Sequence, residues 1–311
     1  MILFAGIPTE TPIALAIESA ERLGIPYLVL NQRRSSFCDL QIQICEGAFG
    51  GQLWLDEKLW PLEEIDGIYA RTVESGLLPE HQPRGRVTPD PRQLARSAFL
   101  GDLLNDWMEI APGRVINRPG AMASNLSKPY QAQLIVAHGF ATPPTLVTNE
   151  PDDIRAFHKS HGRIVYKSIS SIRSIVREWH PWEQKELEKV RFLPTQFQAL
   201  IPGGNIRVHV VGGAVFATSI ASEAVDYRYA SRDGLDTDLS ATTLPPEVEE
   251  KCRRLTAALG LGFAGIDLKR TPDGEWYCFE VNTSPGYSYY QQQTGQPIAD
   301  ALVAYLAGEA Q

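Results

Sequence analysis

The sequence predicts an α/β chain that becomes α+β in its C-terminal lobes. Three observations predict it: an opening run of buried strand, helix and buried strand, a second unit of the same kind from Val115, and a last third that alternates apolar strands with glycine turns. In the opening unit residues 2–6 are an apolar run. Ile13, Ala16, Ile17, Ala20 and Leu23 then recur at helical spacing from Thr9 and stop at Gly24, and residues 27–30 form a second apolar run. This βαβ start calls for a small domain with a parallel sheet.

A further strand is expected at residues 67–70. A loop rich in Pro, Arg and Gly at 79–91 then leads into a helix over about 93–108. In the second unit, residues 128–138 read as a helix through Ala132, Leu134, Ile135 and Ala137, ended by Gly139. Strands follow at 145–147 and 164–167 around a helix at 151–161, and the second strand enters a small-residue turn at 168–174. The last third carries strands at 195–200, 206–211 and 214–219, a helix at 246–259, and two closing strands at 263–269 and 276–282 across Thr271-Pro272-Asp273-Gly274. Domain limits are expected at 1–114, 115–194 and 195–311.

Bulk properties narrow the function classes. A chain of 311 residues with 43% hydrophobic content can bury a large core. Its net charge of −8 and pI of about 5.4, with both signs mixed along the chain, leave no extended basic face for a nucleic-acid backbone. No apolar stretch is long enough to span a membrane, and the start lacks the basic n-region of a secretion signal, so a cytoplasmic protein is expected. Cys38, Cys45, Cys252 and Cys278 lie far apart without CxxC spacing, which suggests reduced thiols and no zinc site. The first turn, Ala5-Gly6-Ile7-Pro8, lacks the glycines of a dinucleotide fingerprint, which sets a dehydrogenase aside.

The sharpest chemical signal is the closing pair of strands, GIDLKR (265–270) and FEVNTSPG (279–286), each interrupted by an oxygen-bearing side chain. An antiparallel hairpin sets Asp267, Glu280 and Asn282 side by side. Such hard oxygens suit Mg²⁺ bridging nucleotide phosphates. A solvated hairpin face accounts for one acid but poorly for the set, because unpaired charge in apolar strands is costly. Lys167 ends a strand and precedes a turn containing Ser168, Ser170 and Ser171, whose backbone N–H groups can form a phosphate nest. Lys128, one α/β unit earlier, supplies a second cation.

From Val115 to Leu306 the order of motifs resembles the RimK-like branch of the ATP-grasp superfamily. The resemblance runs through Asn117-Arg118-Pro119, Lys128, Pro143-Pro144-Thr145, Lys167, Gln198–Ile201, Asn205-Ile206-Arg207, Gly265-Ile266-Asp267 and residues 280–286. It implies an ATP-grasp fold: an N-terminal α/β domain before a nucleotide held between two β-rich lobes. It also implies ATP with Mg²⁺ as cofactors, with two ions expected and Mn²⁺ an acceptable substitute. Carried over, Lys128 and Lys167 hold phosphates, the backbone of Gln198, Ala199, Leu200 and Ile201 reads adenine, and Arg207 stabilises an acyl phosphate and the following tetrahedral intermediate. The chain departs from the family pattern at Ala199, where glutamate is frequent, at Asn205, where aspartate is usual, and in its glycine-free phosphate loop.

A closer likeness is to the microviridin (graspetide) maturases, on Thr148-Asn149-Glu150-Pro151, Asp226-Tyr227-Arg228, residues 294–298 and Ile68-Tyr69-Ala70-Arg71. It implies a small-molecule or peptide substrate bearing a carboxylate, an amine or hydroxyl co-substrate, no nucleic acid and no membrane, with homo-oligomerisation left open. Arg71, Arg173 and Arg228 are candidates to hold the acid, because guanidinium forks bind carboxylates at two points. Surface solubility is their plainer reading. Ser284 and Gly286 are grouped with them at the substrate. His209 shares a strand face with Arg207 and is a candidate for proton removal, although strand histidines are more often structural. The implied reaction is ADP-forming ligation through an acyl phosphate. Its rival is a regulatory protein that binds ATP in the same fold without turnover.

Overall fold

The computed structural model describes residues 1–83, 90–168, 176–180, 187–222 and 237–309. The opening unit forms as the pattern requires. β1 (Ile2–Gly6) is buried throughout, α1 (Thr11–Leu23) ends at Gly24 in the left-handed conformation, and β2 (Tyr27–Asn31) pairs parallel to β1.

Next comes a three-stranded antiparallel sheet: β3 (Asp39–Cys45), β4 (Ala48–Leu55) and β5 (Lys58–Pro61). Its turns are the two-residue loops Glu46-Gly47 and Asp56-Glu57, all with positive φ, and Leu40 and Leu53 pack inward. β6 (Gly67–Arg71), α2 (Pro91–Ile110) and β7 (Arg114–Ile116) complete the domain, whose parallel sheet runs β2-β1-β6-β7. The boundary expected at 114/115 therefore falls inside a strand, and the first domain runs on through β7.

Past the short α3 (Pro119–Met122), α4 (Lys128–Ala137) leads into the second lobe. That lobe contains β8 (Thr145–Thr148), α5 (Pro151–His161), β9 (Ile164–Ser168), β10 (Arg177–Trp179) and β11 (Thr195–Ala199). Its sheet runs β10-β9-β11-β8, so the expected division at 194/195 also moves, because β11 pairs with β8 and β9.

The third lobe is a five-stranded antiparallel sheet ordered β14-β13-β12-β15-β16. Its members are β12 (Gly204–Val211), β13 (Ala214–Ala221), β14 (Asp238–Thr242), β15 (Phe263–Arg270) and β16 (Trp276–Asn282). α6 (Pro246–Ala258) covers one face through Val248, Cys252 and Leu255. α7 (Ser288–Thr294) and α8 (Ile298–Leu306) return to the first domain, where Ile2, Phe4 and Ile13 join Phe263, Leu302 and Val303 in one apolar cluster.

One polar side chain fastens this seam. Asn117 is buried, donates to the carbonyls of Phe263 and Thr283 at 2.6 Å each, and accepts from the N–H groups of Gly262 and Phe263 at 2.8 and 3.1 Å. It ties the start of β15 to the residue after β16, so the hairpin carrying the acidic residues is anchored at its open end.

Candidate active site

A cavity of about 290 Å³ lies between the second-lobe sheet and the five-stranded sheet, walled by Val165 and Lys167 on β9, by residues 198–203, and by Asp267, Phe279 and Glu280. A second of about 310 Å³ adjoins it, sharing Lys167, Gln198 and Phe279 and adding Lys128. Lys167 lines both cavities and Lys128 the second, so the two lysines reach adjoining spaces from two different elements, at a size suited to a nucleotide.

Asp267 and Glu280 are cross-strand partners, as the hairpin reading required. A bulge follows that pair: Leu268 pairs with Cys278, which leaves Phe279 outside the ladder. In a regular strand Phe279 and Glu280 would face opposite sides. With the extra residue, both line the cavity.

Arg207 lies opposite Asp267 on the other side of β15, and its Nη1 donates to Asp267 Oδ1 at 2.6 Å. Its guanidinium carbon sits 5.7 Å from the Tyr290 ring centre. Gly265 makes room for this: a Cβ there would stand 2.8 Å from Arg207 Cζ and 2.6 Å from Pro285 Cβ. Asn282 donates through Nδ2 to Asp267 Oδ2 and to the Gly265 carbonyl, both at 3.3 Å, which leaves its Oδ1 as the oxygen for a cation.

The donors fit Mg²⁺ by kind, two carboxylates and an amide oxygen. Among the described residues no group of three or more His, Cys, Asp or Glu side chains forms a metal cluster, so this mixed set is the cation site at issue. Two carboxylates directly opposed on adjacent strands repel, which a cation between them would relieve.

The segment 198–201 lines the cavity, and its backbone is held from behind. The N–H groups of Ala199 and Leu200 donate to the carbonyls of Pro144 and Arg163, and Gln198 Nε2 donates to Thr145 Oγ1 at 3.0 Å. Sequence reasoning missed Lys269. Its ammonium lines the same cavity, donates to the Ile201 carbonyl at 3.0 Å and stands 5.7 Å from the Phe279 ring centre; burial alone pushes its pKa below the ordinary lysine value. The available signal was a lysine two residues after Asp267 on the same strand.

Two expectations are corrected. His209 does share the Arg207 face, but it is fully buried beneath the site, its Nε2 3.3 Å from the Gly286 carbonyl and its ring 4.9 Å from that of Tyr290. Burial first, and the Arg207 charge second, hold its pKa well below the usual histidine value. It is a neutral packing group outside the cavity lining among the described residues. Arg71 spends its guanidinium on protein groups: Nε and Nη2 donate to Glu10 Oε1 at 3.0 and 2.9 Å, and Nη1 donates to Ser284 Oγ at 3.1 Å and to the Ser284 and Pro285 carbonyls at 3.3 and 3.1 Å. It braces the loop after β16 against the first domain, and with it the exposed Ser284 and Gly286. Ser168 closes β9, while Ser170, Ser171, Arg173 and Arg228 lie outside the described residues. No helix among the described residues is long and apolar enough to cross a membrane.

Two sheets closing on a nucleotide-sized cavity, lysines on one side and carboxylates with an arginine on the other, define an ATP-grasp fold. The chain matches the RimK-like ATP-grasp domain over residues 127–306, more than half its length, and belongs to that family of ATP-dependent ligases, which use ATP and Mg²⁺. Among curated relatives it is 25% identical over 226 residues to a probable alpha-L-glutamate ligase of Hydrogenovibrio crunogenus, covering 70% of this chain and 74% of that one. A protein of the same description from Methanococcoides burtonii is 28% identical over 228 residues, with the same shares covered. Among solved structures, the macrocyclase MdnC of Microcystis aeruginosa bound with precursor peptide MdnA superposes with a TM-score of 0.80 at 21% identity over 100% of both chains. The ATP-grasp ligase PsnB complexed with a phosphomimetic variant of minimal precursor, Mg and ADP gives 0.77 at 23% identity, covering 99% of this chain and 97% of that one.

Proposed function

We propose that the chain joins a carboxylate to an amine, or to a hydroxyl, on a peptide substrate through an acyl-phosphate intermediate formed from ATP. The observation that carries this reading is the Asp267–Glu280 pair on the floor of the cavity, with Arg207 bonded to Asp267 and Lys167 on the opposite wall. A peptide is favoured because MdnC and PsnB, whose folds this chain shares over nearly its whole length, are complexed with precursor peptides.

Asp267, Glu280 and Asn282 would hold Mg²⁺, two ions being expected, and the metal would supply charge neutralisation across the polyphosphate. Lys128 and Lys167 add fixed positive charge to the same phosphates, and residues 198–201 with Lys269 receive the base. A substrate carboxylate oxygen attacks the γ-phosphorus and the bond to the β-bridging oxygen breaks, giving acyl phosphate and ADP. The amine or hydroxyl then attacks the acyl carbon, its proton passes to solvent or phosphate, and phosphate leaves. Arg207, held in place by Asp267 and Tyr290, stabilises the negative charge on the tetrahedral intermediate. Arg173 and Arg228 remain assigned to the acidic part of the substrate.

The test is incubation with candidate acidic peptides and ATP, followed by mass spectrometry. An intramolecular link gives a peptide lighter by one water for each ADP formed, and an added amino acid gives a heavier one. ATP binding without ADP release from any carboxylate and nucleophile pair would favour the non-catalytic reading.

A further inference from the structure

β16 is the edge strand of its sheet, so its outer backbone groups need partners from elsewhere. One comes from α4. The buried Gln131 donates through Nε2 to the Val281 carbonyl and accepts through Oε1 from the Val281 N–H, both at 2.9 Å. The side-chain amide thus replaces a neighbouring strand for one residue, and that residue lies between Glu280 and Asn282. Holding Val281 by both backbone groups fixes the direction of the side chains before and after it. Further along the same edge, Ala141 accepts from the Cys278 N–H at 2.9 Å and donates to the Trp276 carbonyl at 3.3 Å. Between the two clamps lies the bulged Phe279. Lys128 stands one helical turn before Gln131 on α4 and lines the cavity that Gln131 also borders.

We propose that Gln131 is a positioning residue: through Val281 it sets Glu280 and Asn282 at the angle a divalent cation requires. The proposal rests on the reading of Asp267, Glu280 and Asn282 as the metal site. Both ends of the Gln131 amide bond Val281, so it acts through that residue. A side chain that served only to hold the strand in place would affect ADP binding equally with and without metal, whereas a positioning role falls on the metal-dependent part.

The experiment is calorimetric titration of ADP, with and without MgCl₂, into wild type, Gln131→Met and Glu280→Gln. Wild type is expected to bind ADP about tenfold or more tightly with Mg²⁺. Gln131→Met is expected to keep its metal-free affinity within about twofold and to lose most of the Mg²⁺ gain. A full Mg²⁺ gain in Gln131→Met, with the gain lost in Glu280→Gln, overturns the positioning role and leaves the metal assignment standing. A full gain in both variants overturns the metal assignment and the proposal with it. Gln131→Glu, which keeps the acceptor for the Val281 N–H, carries the same test should Gln131→Met not fold. Loss of metal-free ADP binding in both would make Gln131 a folding residue and overturn the proposal.

Discussion

Replacing Glu280 by glutamine is expected to leave the ligand-free protein as stable as wild type or slightly more so, while removing the part of its stabilisation by ADP that depends on Mg²⁺. Asp267 and Glu280 face each other across the β15–β16 ladder. Two carboxylates about 5 Å apart repel by about 3 kcal/mol at an effective dielectric of about 20. The Arg207 guanidinium, 2.6 Å from Asp267 Oδ1, and the further partners of both carboxylates offset most of this and leave a net gain on neutralisation of at most about 0.5–1 kcal/mol. In a chain this long that is a rise of about 1–2 °C in the melting temperature. With Mg²⁺ and ADP at about 100 times the dissociation constant, wild type gains about 2.7 kcal/mol, or roughly 5 °C. Glu280→Gln keeps the metal-free portion of that gain only, so the variant starts level or higher and finishes lower. Thermal melts of both proteins, alone, with ADP, and with ADP plus MgCl₂, give the comparison. An equal Mg²⁺-dependent rise in the two proteins would refute the reasoning, as would a ligand-free variant that melts far below wild type.

Three further outcomes follow from named contacts. Gly265→Ala puts a methyl group against the Arg207 guanidinium and is expected to lower turnover with the peptide substrate about 100-fold while ADP affinity stays within about threefold; unchanged turnover would detach Arg207 from the chemistry. His209 is neutral in the folded protein and takes up a proton on unfolding, so its contribution to stability is present above the unfolded pKa of about 6.5 and is lost as pH falls below it. Denaturant titrations of His209→Phe should therefore show a shallower loss of stability than wild type between about pH 6.5 and 5. Lys269→Met, which removes a half-buried ammonium from the Ile201 carbonyl, is expected to weaken metal-free ADP binding about five- to tenfold with no loss of fold by circular dichroism.

Legibility in the sequence tracked how local each signal was. The hairpin carrying Asp267, Glu280 and Asn282 could be read because a four-residue turn and two apolar runs set its register nearly unaided. The bulge at Phe279 could not, because the alternation of the strand does not mark which residue is extra. The sheet to which β11 belongs was equally hidden: residues 195–199 are a clear strand, but their pairing with β8 and β9 is decided by contacts across the lobe. β3–β5 were missed although Leu40, Ile42, Leu53 and Leu55 alternate as a half-buried sheet requires, since glycines and glutamines between them dilute the pattern. Asn117 and Gln131 illustrate the general limit. Each is an ordinary amide in sequence, and each gains its role from carbonyls some 150 residues away, with separations of 146 for Asn117–Phe263 and 150 for Gln131–Val281. His209 and Arg71 show the converse, residue types suited to chemistry that the fold spends on packing and on bracing a loop.

The most direct measurement is a crystal structure of the protein with ADP and Mn²⁺, the ion being located by its anomalous scattering. The expected result is a peak between the ADP phosphates and the side chains of Asp267, Glu280 and Asn282, at coordination distances of about 2 Å. ADP bound in the cavity with no ion on these side chains, or with the ion held by other residues, would contradict it.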